Sequence, residues 1–185
     1  MMDRQALQRY GYSVHALRVL AQTKLPRMVF DMVDGAAGDE TTVRRNKQAI
    51  DDIELLPKVL AGAGLRSQSV EILGSRLKSP VIIGPTGLAG LLWPHAELCA
   101  ARAAHEFGTI YTTSHASTST LEEIAAATPG PKWMQVFLYK DRGLTEQFVQ
   151  RAAAAGYQGL VLTVDNQVMA VRDRDARNDL MFPMK

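Results

Sequence analysis

From Pro80 onward the chain repeats one pattern: a short apolar run, a polar break, then a stretch with helical spacing. The strands predicted are the apolar run Val81–Gly84 and the strand-like runs Thr109–Thr113, Trp133–Leu138 and Gly159–Val164. The helices predicted between them are His95–Phe107, Leu121–Ala127 and Leu144–Ala155. A run that is apolar throughout suits a strand covered on both faces. Strands alternating with helices of this length predict a parallel sheet joined by right-handed crossovers. Gly108, Gly130 and Gly156 follow the helices and read as their stops. The first run ends abruptly at Gly84-Pro85, and Thr86-Gly87 follows with a polar side chain and a bare backbone. Breaks of that kind at the ends of parallel strands are where α/β proteins carry ligand-binding loops.

Strand follows strand at about 25 to 30 residues, and at that spacing a closed eight-unit barrel needs roughly 200 residues or more. Four strands are readable, so two strand edges would be left bare. Three arrangements satisfy this: a shortened chain, an open sheet, or a half-barrel completed from elsewhere. The completing part would be a missing C-terminal half-barrel or a second copy through self-association.

Before Pro80 the pattern is helical. Helices are expected over Ser13–Gln22, Pro26–Val33 and Thr41–Ile50, with Asp39 or Thr41 as the N-cap of the third. Leu55–Pro57 and Ser69–Gly74 read as edge strands or extended segments. No Gly/Ser or Pro-rich linker interrupts the chain. The expected organisation is one incomplete α/β domain over 1–185, with a helical cover over 1–78 and barrel strands one to four over 79–185.

Composition narrows the function. A formal net charge of +2 and the lack of a basic run argue against a nucleic-acid partner. Cys99 is the single cysteine, which excludes an intrachain disulfide and a multi-cysteine metal site. Its Ala-rich helix suggests a buried position. Met1–Leu20 has no signal-type apolar core, and no apolar stretch reaches membrane-spanning length. The expectation is a cytoplasmic protein, with peripheral contact at the inner face of the membrane left open.

The polar residues at the strand ends should converge on one face of the sheet. They are Pro85, Thr86 and Gly87 after the first strand, and Ser114 and His115 after the second. Gln135 lies in the third, and Thr163 and Asp165 mark the fourth. Gln135 donates and accepts at once, Ser114 and Thr163 do either, and Gly87 permits close backbone approach. That set suits a flat heterocycle such as a flavin ring better than a phosphate. The same groups could equally satisfy one another and ordered water.

Several separated motifs carry a resemblance. They are Leu25–Asp31 (LPRMVFD), Gly35–Glu40 (GAAGDE), Arg45-Asn46, Ile83–Gly87 (IGPTG), Leu162–Asp165 (LTVD), Arg172–Asp175 (RDRD) and Arg177-Asn178. Together they resemble the first half of the FMN-dependent α-hydroxy acid dehydrogenases and oxidases, over nearly the whole chain. The resemblance implies the first half of a (β/α)8 TIM barrel with an N-terminal helical cover. It implies FMN as cofactor and oxidation of a lactate-like 2-hydroxy acid to a 2-oxo acid. Pro85, Thr86 and Gly87 would face the flavin N5 region, and Ser114, Gln135 and Thr163 would hydrogen-bond the ring. Arg172 would lie near the substrate, where its guanidinium could hold a carboxylate, or would pair with Asp173 or Asp175 at the surface. Met32 and Phe137 stand where the family usually has substrate-side tyrosines, and neither side chain can donate a hydrogen bond. The catalytic base is expected outside this chain, so no residue here is assigned that role, and no metal site is expected. Of the four histidines, His115 alone sits where a ligand contact is worth testing. The rival readings are a non-catalytic fragment that needs a partner half-barrel, and an FMN barrel acting on a different substrate.

Overall fold

A computed structural model of the protein describes residues 11–60, 62, 64, 66–165, 168 and 170–180. In chain order its elements begin with helices α1 (Val14–Lys24), α2 (Arg27–Asp34) and α3 (Thr41–Asp51). Strands β1 (Val70–Ile72) and β2 (Ser75–Leu77) and a 3-10 turn at Ala89–Leu91 follow. Then come α4 (Ala96–Phe107), β3 (Tyr111–Thr113), α5 (Leu121–Ala127), β4 (Lys132–Val136), α6 (Arg142–Ala154), β5 (Gly159–Leu162) and α7 (Asp173–Arg177). Contacts divide the chain into two compact units. One takes in the chain up to Lys58 together with the segment from Val168 onward, and the other runs Val59–Gln167. Strands β1 and β2, within the stretch read as helical cover, therefore belong with the sheet.

In the first unit, α1 begins where the Ser13 hydroxyl accepts from the Ala16 amide at 3.1 Å. Pro26 is the N-cap of α2, where its missing N–H costs nothing. The N-cap of α3 is Glu40, in the left-handed region at φ 65°, and not Asp39 or Thr41. Asp39 still serves the turn, accepting from the Thr41 amide at 3.0 Å. Helix α7 was not expected, and its side chains bind this unit together. Arg174 reaches Asp34 at 2.8 Å and Glu40 at 2.6 Å, and Asn178 donates to Asp31 at 2.9 Å. Arg18 forms a second ion pair with Asp34. Hydrogen bonds from Arg18 and then Arg174 outweigh burial and hold the Asp34 carboxyl down to about 2.

In the second unit, Leu73 (φ 46°) and Gly74 (φ 76°) form the turn of the β1–β2 hairpin, where two left-handed residues match the strand twist. Leu55–Pro57, expected as an edge strand or an extended segment, belongs to the first unit, forms no strand and is exposed. Strands β3, β4 and β5 form a parallel sheet in that order. The expected first strand, Val81–Gly84, is reduced to a bridge. Only Ile83 pairs, its amide donating to Ile110 and its carbonyl accepting from Thr112, both at 3.1 Å. Val81 is 66% exposed, so this run is an edge and not a strand covered on both faces. Prolines at 80 and 85 explain the shortening, because neither can donate to a ladder. Among the described residues the sheet is open, with no closed barrel.

Alternate strand residues face the helices. Met134 and Val136 pack with Leu121, Ala152 and Tyr157, while Tyr111 packs with Ala101, Ala104 and Ile124. Gly108 (φ 85°) and Gly156 (φ 77°) do end their helices in the left-handed conformation. Gly130 serves another purpose: a Cβ there would meet the His105 Cβ at 2.8 Å, so the glycine permits close approach to α4. Cys99, expected buried, is exposed. On β5, Leu160 is 51% exposed on the face that β4 buries, because no described helix covers it.

Gly159 carries a constraint of its own. A Cβ there would stand 2.8 Å from Trp133 Cδ1 on the paired strand. A rigid indole cannot yield cheaply to it. Gly159→Ala is expected to lower stability by about 1–3 kcal/mol, read as an earlier midpoint in denaturant titration.

Candidate cofactor site

Parallel register sets which side chains share a face. Trp133 pairs with Gly159 and Gln135 with Val161, so Gln135 and Thr163 lie on the side opposite Met134 and Val136. Gln135 is buried, and its carboxamide is held at both ends. Its Oε1 accepts from the His115 backbone amide at 3.0 Å and lies 3.1 Å from His115 Nδ1. Its Nε2 donates to Thr163 Oγ1 at 2.8 Å. The His115 ring stands edge-on to Phe137, with centroids 4.3 Å apart and planes at 86°. Ser114 is buried, and its hydroxyl accepts from the Ala116 amide at 3.2 Å.

The turn after Ile83 joins this group through backbone contacts. The Leu88 amide donates to the Ala116 carbonyl at 2.9 Å. A Cβ on Gly87 would stand 3.1 Å from Ala116 Cβ and 3.5 Å from Ser114 Oγ, so a glycine lets the two loops touch. Pro85, Thr86 and Gly87 are exposed. A run of contacts thus links the turn at Gly87 to Ser114, His115, Gln135 and Thr163, with Phe137 against His115.

Met32 and Arg172 come together in the other compact unit. Arg172 Nη2 donates to the carbonyls of Met32 at 2.6 Å and Gly35 at 2.7 Å, at the C-terminal end of α2. Those are carbonyls a helix end leaves without intrahelical partners. Arg172 Nε also lies 3.0 Å from Asp175 Oδ2. The arginine therefore caps a helix and pairs with Asp175, one of the two partners anticipated, but Asp175 is buried and the pair is not at the surface.

Sequence reasoning missed Glu97. This carboxylate in the first turn of α4 is 1% exposed. It accepts from the Thr118 amide at 2.8 Å, the Thr118 hydroxyl at 2.7 Å and the Ser119 hydroxyl at 3.4 Å. Burial pushes its pKa up, but the Thr118 and backbone donors prevail and bring it below the ordinary glutamate value. Glu97 thereby fastens the loop that begins with Ser114 and His115. The one available signal was an acid just inside a predicted helix start, which reads first as a dipole partner. Among the described residues no group of three His, Cys, Asp or Glu could hold a metal ion, and no helix is long and apolar enough to cross a membrane.

A parallel β/α sheet whose strand ends gather an amide, hydroxyls and an exposed Pro-Thr-Gly turn defines an α/β protein with a polar cluster at its strand ends. The family model described as FMN-dependent dehydrogenase matches residues 21–185, and the chain belongs to that family. It is 35% identical to glycolate oxidase 1 of Oryza sativa subsp. indica over 171 residues, 92% of this chain and 46% of the relative. It is 38% identical to (S)-mandelate dehydrogenase of Pseudomonas putida over 173 residues, 94% of this chain and 44% of the relative. The crystal structure of a soluble mutant of that membrane-associated dehydrogenase superposes with a TM-score of 0.87 at 38% identity, over 93% of this chain and 49% of the other. A mandelate oxidase with a C4a-OH-FMN adduct superposes with a TM-score of 0.84 at 34% identity, over 91% of this chain and 51% of the other. The chain spans about half the length of the curated relatives it matches.

Proposed function

We propose that this chain forms the ring-binding side of an FMN-dependent oxidoreductase that converts a 2-hydroxy acid to a 2-oxo acid. The observation that carries the reading is the continuous set Gly87, Ser114, Gln135 and Thr163 at the ends of parallel strands, in a chain of this family. The donor chemistry fits a flavin ring. Gln135 Nε2 spends one hydrogen on Thr163 and keeps a second, and the Thr163 hydroxyl, accepting there, keeps its own to give. When bound, FMN supplies the two-electron oxidation of the hydroxy acid. The chain's part is to seat the ring. Gln135 and Thr163 direct donors at its polar edge, and the exposed Pro85–Gly87 backbone leaves room for a flat face.

Arg172, Met32 and Phe137 belong to the substrate side in this reading. A guanidinium has five N–H donors, more than the Met32, Gly35 and Asp175 partners use, so a carboxylate could be added. Met32 and Phe137 each lack a phenolic hydroxyl, so neither could donate a hydrogen bond to a substrate. Proton abstraction is assigned to no residue of this chain. Further β/α units, the C-terminal half of a (β/α)8 barrel, would pair with the open edge of β5 and cover Leu160. A cytoplasmic location, peripheral to the membrane as for the monotopic (S)-mandelate dehydrogenase, is part of the same reading.

Titration of FMN into the 185-residue chain tests the reading through quenching of flavin fluorescence. Saturable quenching is expected, and Gln135→Leu should weaken it about tenfold, the effect of removing a buried donor. Unchanged flavin fluorescence at all chain concentrations would overturn the proposal.

A further inference from the structure

The hydrogen bonds around Gln135 determine more than its position. The His115 backbone amide can only donate, so the carboxamide atom 3.0 Å from it must be the oxygen. The same oxygen lies 3.1 Å from His115 Nδ1, and an oxygen without a hydrogen cannot donate to that nitrogen. The proton therefore sits on Nδ1. Both lone pairs of Oε1 are then filled by one residue, once from its backbone and once from its ring. What remains on the carboxamide is a single N–H, beside a Thr163 hydroxyl that accepts from Nε2 and is free to donate.

We infer that His115 is a positioning residue that fixes the polarity of the Gln135 carboxamide, so that Gln135 presents an N–H donor and no acceptor to a ligand. This inference rests on the flavin reading for the identity of the ligand. The atom selected by Gln135 is an acceptor, such as a carbonyl oxygen of a pyrimidinedione, while the Thr163 hydroxyl keeps both a hydrogen and a lone pair for its neighbour. Without a ring donor at 115, one lone pair of Oε1 would open and the carboxamide would offer both polarities. Phe137, edge-on to the imidazole, supports the ring in this orientation. Glu97 secures the loop from its far side through Thr118.

Two measurements on the whole chain test this. Long-range 15N–1H correlation of the wild-type chain without flavin reads the His115 tautomer. A protonated Nδ1 with an unprotonated Nε2 is expected, and the reverse pattern overturns the inference. The second is FMN titration by fluorescence quenching with His115→Phe, which keeps an aromatic ring but lacks the donor, and His115→Asn, which restores a donor. Phe should weaken FMN binding about fivefold, the effect of one lost hydrogen bond, and Asn should recover most of it. Equal affinity for wild type and Phe, or equal losses for Phe and Asn, overturns it. If Phe does not fold, the tautomer and the Asn variant still decide. Failure of the wild-type chain to bind FMN would count against the functional reading alone, because the tautomer is read without flavin.

Discussion

Glu97→Ala is expected to destabilise the sheet unit by about 3 kcal/mol, because hydrogen bonds to a charged acceptor are worth about 1.5–3 kcal/mol each and the Thr118 donors would be left unpaired. The loss should appear as an earlier cooperative transition in denaturant, and as faster amide exchange at Thr118 and Ser119. Glu97→Gln is the informative companion. Its carbonyl oxygen still accepts from Thr118, so it should retain roughly half of the lost stability. The loop also carries Ser114 and His115, so FMN affinity should fall with Glu97→Ala even where the protein remains folded. An Ala variant that unfolds within about 0.5 kcal/mol of wild type would show that the loop holds without its carboxylate.

Arg174→Met should be as damaging in the helical unit. The change leaves Asp34 and Glu40 without their shared cation and brings carboxylates together in a partly buried setting. Breaking a charge network of this kind costs about 3 kcal/mol. The same cluster predicts an acid dependence. The Asp34 carboxyl is held down to about 2 against an ordinary value of 3.8. A depressed folded-state pKa stabilises the folded state above the unfolded value, and that contribution is lost as pH falls from about 4 toward 2. Its size is about 2 kcal/mol. Chemical denaturation at pH 6 and at pH 2.5 should show the loss in wild type. Arg174→Met should show less of it, because Arg18 alone remains on Asp34. A pH dependence unchanged by the substitution would point to other carboxylates.

The helices were legible because their ends are written locally. Ser13 precedes α1, Pro26 opens α2, and Thr120 with Glu123 forms a capping box at α5, each within a few residues of the helix it starts. The meeting of Gln135 and Thr163 was legible too, since residues at the ends of neighbouring parallel strands were expected on one face. Val81–Gly84 misled because its composition is that of a strand, while the prolines on both sides restrict its pairing to Ile83. Helix α7 has no apolar stripe to announce it, and its charged residues find their partners far away in sequence. The His115–Gln135 lock was invisible for a related reason. Residue types suggest that both could bind a ligand, but only distances reveal that one saturates the other's oxygen.

The ion pairs that bind the helical unit join residues far apart in the chain. Arg174 and Asp34 are separated by 140 residues, and Asn178 and Asp31 by 147. On a ribosome, α1, α2 and α3 emerge before their partners on α7, which appear only after the whole of 59–167 has been made. These helices can form the Arg18–Asp34 pair at once, but their α7 contacts must wait. Nascent chains arrested before residue 172 should therefore keep α1, α2 and α3 more readily cut by protease than chains that include α7.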